Sequence, residues 1–136
     1  MRIGPGSFYL WLVLALSVGS ATAANKLQVV PDADLELAAG WSAYAAGDLP
    51  QARQRFLRAA EGNGRVAQFN LAVMLLAGEG GAPDATAGVA WLHKSATGGF
   101  ARAQFALGLL YESGEGVARS LTEATAWFHK AAEQGY

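Results

Sequence analysis

Apolar positions in residues 101–136 fall at helical spacing on two separate stripes. Ala103, Leu107, Leu110 and Tyr111 form the first, and Ala124, Trp127, Phe128 and Ala131 the second. The polar stretch "SGEGVAR" separates them, and Ser120-Leu121-Thr122-Glu123 opens the second as an S-x-x-E capping box. Gly135 stands where that helix should stop. Residues 65–100 lie over this segment without a gap, and 15 of the 36 positions are identical. The identities gather at Ala67/Ala103, Gln68/Gln104, Phe69/Phe105 and Leu71/Leu107, at Gly-Glu-Gly, and at Trp91/Trp127, His93/His129 and Lys94/Lys130. Asp84 holds the cap position of the earlier unit. The pattern predicts two copies of one helix-turn-helix unit. Small residues at Ala67, Ala90, Ala103, Ala124 and Ala126 are expected to let helices approach, with Trp91 and Trp127 filling the gaps between them.

A third unit lies upstream in residues 32–64. Gly40, Gly47, Ala52, Phe56 and Ala59 carry the small-residue and aromatic spacing of a tetratricopeptide repeat, with a shorter turn. Asp32 is expected to cap its first helix and Asp48 its second, with Pro50 in the first turn, where its missing N–H does no harm. A single hairpin of this kind cannot bury its apolar face, so the units must stack into an all-α array of about three helix-turn-helix repeats.

The N-terminus reads differently. Arg2 precedes an apolar run from Phe8 to about Val18, and Ala21-Thr22-Ala23 closes it. That is the layout of a secretory signal peptide over residues 1–23, cleaved after Ala23 or, as the neighbouring alternative, after Ala24. The run is shorter than the roughly 20 residues of a spanning helix, so membrane contact is expected only in transit. Residues 24–31 form a leader. The expected location is exported, either periplasmic or secreted.

The two later units resemble the Sel-1-like repeat, a relative of the tetratricopeptide repeat. The last carries Ala103, Leu107, Gly108, Gly114, Gly116, Val117, Ala124, Trp127, Lys130, Ala131, Ala132 and Gly135 of that pattern. The middle one carries Ala67, Leu71, Gly78, Gly80, Trp91, Lys94, Ala96 and Gly99, and departs at Ala72, Gly81, Gly88 and Ser95. The resemblance implies a right-handed α-solenoid serving as a protein-binding adaptor.

Charge and chemistry narrow the function further. Lys plus Arg is 10, Asp plus Glu is 11, and cysteine is absent. Near-balance gives no basic stripe for nucleic acid. The lack of cysteine removes disulfides and thiolate chemistry. Gly-Glu-Gly has neither the preceding strand nor the Lys-Ser of a phosphate loop, and too few oxygen ligands for calcium. It reads as a turn, with Glu115 facing water. His93 and His129 occupy equivalent positions, yet no third or fourth ligand accompanies them, so both read as exposed helix-face residues. Asp32, Asp34 and Glu36 suit a helix N-terminus. No catalytic constellation is present. The reading is non-enzymatic, with no metal, cofactor or small-molecule substrate.

In solenoids of the related tetratricopeptide repeat the first helix of each repeat lines the concave face. Register then places Leu37, Trp41 and Tyr44 there, followed by Asn70 and Val73, then Arg102, Leu109 and Glu112. Phe69 and Phe105 share that stripe and are expected in the core. One tetratricopeptide subclass clamps a terminal carboxylate; Asn70 and Arg102 fit two of its places, whereas Leu37, Trp41 and Ala106 do not fit the others. An apolar peptide or helix is the expected partner, with Trp41 and Tyr44 as anchors. The alternative is a structural envelope component that assembles through its open C-terminal repeat, with itself or with a larger complex.

Overall fold

The computed structural model describes residues 32–136. The signal peptide, the leader and the side chain of Asp32 lie outside the described residues. Six helices follow one another: α1 Asp32–Ala45, α2 Leu49–Glu61, α3 Arg65–Ala77, α4 Ala85–Thr97, α5 Ala101–Ser113 and α6 Leu121–Glu133. The extensive contacts join each helix to the next in sequence, which makes the array a helical repeat solenoid of three hairpins.

Local chemistry sets the ends of the helices. The Asp48 carboxylate accepts from Gln51 N–H at 3.2 Å, with Pro50 in the first turn of α2. Asp84 accepts from Ala87 N–H at 2.9 Å, and the Ser120 hydroxyl from Glu123 N–H at 3.2 Å. Each satisfies a donor that the first turn leaves open. The Gly-Glu-Gly turns use glycine for its backbone: Gly78 and Gly114 stop α3 and α5 at φ 72° and 75°, in the left-handed region.

Two apolar clusters form the core. Ala43, Ala52, Phe56, Ala59, Ala67, Leu71 and Met74 fill the junction of the first and second hairpins. Phe69, Ala72, Leu76, Leu92, Ala103, Leu107, Leu110 and Trp127 fill the second junction, and Trp91 borders both clusters. Close approach needs small residues: a Cβ on Gly40 would lie 2.6 Å from the Phe56 ring, and Gly108 faces Phe128 in the same way. Ala67, Ala103 and Ala124 are buried as expected, but Ala90 and Ala126 are exposed. Those two alanines lie on the outer side of the second helix of their hairpin, where no neighbour packs.

Polar side chains lock the hairpins together. Gln68 Nε2 donates to the Ala60 carbonyl at 3.2 Å, and Gln104 Nε2 to the Ala96 carbonyl at 3.1 Å. Both glutamines are buried. The repeated Ala-Gln-Phe thus carries an inter-repeat bond as well as a helix face.

Candidate protein-binding face

The glycine–phenylalanine pairs fix the register among first helices. Gly40 on α1 corresponds to Ala72 on α3 and Gly108 on α5. Trp41, Val73 and Leu109 are therefore equivalent positions, as are Leu37, Phe69 and Phe105, and Tyr44, Leu76 and Glu112.

Trp41 is 38% exposed although its ring meets Phe56 edge-on at 5.3 Å and Tyr44 at 6.1 Å. It is an indole fixed along one side and open on the other. Leu37 and Tyr44 are half-buried against the first cluster. Val73 and Leu109 are half-buried against the second. Asn70 is 9% exposed, and its Nδ2 has no hydrogen-bond partner, an unusual state for a buried amide. Arg102 is half-buried and engaged with its surroundings. Glu112 is exposed, and its carbonyl accepts from Arg119 Nε at 3.0 Å. Phe69 is core at 4% exposure. Phe105 is only half-buried, with its ring between Phe128 and Tyr136 at 5.3 and 5.4 Å.

Three further sequence expectations need correction. Glu115 does not simply face water: its Oε2 is buried without a partner, and burial raises its pKa above 4.5. Glu79, its counterpart, also has a buried Oε2 without a partner. Burial raises the Tyr44 pKa above 10.0, and the charge and hydrogen bond of Glu79 raise it further. The first of these turns folds back on the preceding repeat: a Cβ on Gly80 would collide with the Leu49 carbonyl. The identical Glu79 and Glu115 were the visible signal of a shared turn environment, since each buries its Oε2. Second, His93 is not an exposed helix-face residue. It is half-buried, with Nε2 3.1 Å from the Tyr111 hydroxyl and its ring edge-on to Trp127 at 5.7 Å, because the next hairpin packs over it. His129 is exposed and lies 3.3 Å from Glu133. Third, Glu36 does more than favour a helix dipole; it pairs with Arg55 at 3.1 Å and Arg58 at 3.7 Å. Among the described residues, no three metal-ligating side chains gather, and no helix is long and apolar enough to cross a membrane.

The family model of the Sel1 repeat matches residues 65–100 and again 101–136. The chain belongs to the Sel1 repeat family. Repeats of this family are typically protein–protein interaction modules, and proteins built from them are generally non-enzymatic. A solved Sel1 repeat protein from Oxalobacter formigenes is similar at 31% identity and a TM-score of 0.73, over 86% of this chain and 97% of that one. The c5321 protein is a protective antigen of uropathogenic Escherichia coli strains displaying an SLR fold. It matches at 31% identity and a TM-score of 0.72, over 99% of this chain but 26% of its own. No curated protein matches.

Proposed function

We propose that this Sel1 repeat protein is an exported, non-enzymatic adaptor that holds a peptide or protein segment against α1, α3 and α5. The observation that carries the reading is Trp41. Its indole is fixed against Phe56 and Tyr44 yet remains 38% exposed, so little side-chain freedom is lost when a partner covers it. Leu37, Val73 and Leu109 extend an apolar floor along successive first helices, whereas the Asn70 amide nitrogen is buried and offers no exposed donor. Arg102 and Glu112 add charge at the last repeat. Export rests on residues 1–23; the mass of the chain recovered from the periplasm or medium tests it, with the start expected at Ala24. The face is tested by pull-down with wild type beside the Trp41→Ala, Tyr44→Ala double variant. Equal capture of the same protein by both would remove it.

Assembly through the last repeat is the second reading, favoured by exposed Leu121 and Tyr136. Head-to-tail stacking of two copies meets an obstacle in the register. The position of Gln68 and Gln104 is held in the first repeat by Glu36, an acceptor already paired with Arg55 and Arg58. It could not donate to the Ala132 carbonyl as Gln104 does to Ala96. A mass that rises with concentration in sedimentation would nonetheless favour assembly over a monomeric adaptor.

A further inference from the structure

The middle repeat carries a cleft whose counterparts in the other two repeats hold paired carboxylates. It lies where the start of α3 meets the end of α4, and its lining includes Arg65, Gln68, His93, Lys94, Thr97 and Gly98. Each basic group is positioned by a second contact. Arg65 Nη1 donates to the Gly98 carbonyl at 3.2 Å. Lys94 Nζ rests 4.5 Å from the centre of the Trp91 ring, and His93 Nε2 meets the Tyr111 hydroxyl at 3.1 Å. No carboxylate is among the lining residues.

The equivalent places in the neighbouring repeats show what is missing. A Cβ on Gly62 would meet Ala33, and one on Gly98 would meet Arg65, which sets the correspondence between first and middle repeats. In the first repeat, Glu36 stands at the position of Gln68 and reaches Arg58, the counterpart of Lys94, at 3.7 Å. In the third, Glu133 stands at the position of Thr97 and lies 3.3 Å from His129, the counterpart of His93. There Gln134 replaces Gly98 and spans to Gln104 at 2.8 Å, while Ala101 replaces Arg65. The middle repeat thus has neither of those carboxylates, carries a glycine where the third repeat has Gln134, and adds an arginine.

We propose that this cleft takes a glutamate or aspartate side chain from an acidic segment of a partner protein. The two carboxylates that occupy the equivalent places are themselves side chains on a polypeptide. The space, about 500 Å³, is larger than one carboxylate needs and leaves room for the chain that carries it. Arginine offers a planar fork of donors, and the lysine adds a point charge. The site is separate from the Trp41 face and stands or falls independently of it.

The test uses the mature full chain and a short, end-blocked fluorescent peptide alternating Gly and Glu, with a Gly–Gln peptide as the neutral control. Anisotropy should show binding of the acidic peptide that weakens with added salt. The neutral peptide should bind about tenfold more weakly or not at all. Thr97→Glu supplies the internal carboxylate of the third repeat and should weaken the acidic peptide by about tenfold, as should Arg65→Ala with Lys94→Ala. Helicity by circular dichroism verifies that these variants fold. Equal binding of both peptides, unaltered binding by Thr97→Glu, or displacement by an equal concentration of inorganic phosphate would each overturn the proposal.

Discussion

Replacing Gln104 probes the joint between the second and third hairpins. Its Nε2 donates to the Ala96 carbonyl at 3.1 Å, and its Oε1 accepts from Gln134 Nε2 at 2.8 Å. In Gln104→Ala the Ala96 carbonyl keeps the Gly99 N–H at 3.0 Å, so it is not orphaned. Gln134 is exposed and can turn to water. The cost is therefore the net value of the bonds rather than a stranded group. The buried bond is worth about 1 kcal/mol, and the half-exposed one about 0.5 kcal/mol. Loss of one buried methylene adds about 0.8 kcal/mol, for a total of about 2 kcal/mol. Gln104→Met keeps the packing and should cost about 1 kcal/mol. Urea unfolding followed by helicity gives both values; with a slope of about 1.5 kcal/mol/M, the alanine variant should unfold roughly 1.3 M earlier. If both variants unfold within about 0.3 M of wild type, the side-chain lock contributes nothing and the hairpins are joined by apolar packing alone.

Gly40→Ala should destabilise despite the helix propensity of alanine, worth about 1 kcal/mol. The added methyl would lie 2.6 Å from the Phe56 ring, and overpacking of that kind costs about 1–3 kcal/mol. A lowered melting temperature that Phe56→Leu partly restores would establish the contact as the cause. Glu115→Gln should stabilise the protein at neutral pH, because burial raises the Glu115 pKa when folded. The folded state then holds this proton more tightly than the unfolded chain, so the carboxyl's contribution is fully present below pH 4.5 and is lost as pH rises through the folded value. The melting-temperature gain of the variant should accordingly shrink as pH falls toward 4.5, and a gain independent of pH would refute that origin.

The solenoid was legible because its signals are local and occur twice. Asp48, Asp84 and Ser120 cap from the positions their spacing implies, and the glycines of Gly-Glu-Gly turn the chain as glycine does. What escaped the sequence is contact between repeats. Helical spacing places His93 and His129 on the same face, but only stacking decides that Tyr111 and Trp127 cover the first. Glu115 looked like a solvated turn residue because the burial of its Oε2 comes from packing that the local sequence does not display. Ala90 and Ala126 matched a small-residue pattern, yet they occupy a side on which no helix packs. For the candidate face, register identified which residues share a stripe. Burial then separated Phe69, which serves the core, from Trp41, which remains accessible.

Trp41 tests the central claim most directly. Peptides selected from a random displayed library on the wild-type mature chain can be remeasured, one by one, on the Trp41→Ala, Tyr44→Ala double variant. Removal of an exposed aromatic anchor at a binding face costs about 2 kcal/mol or more, a loss of roughly 30-fold in affinity. The account predicts that loss for the selected peptides while helicity is retained. Unchanged affinity across the selected set would contradict it and move the binding face away from the first helices.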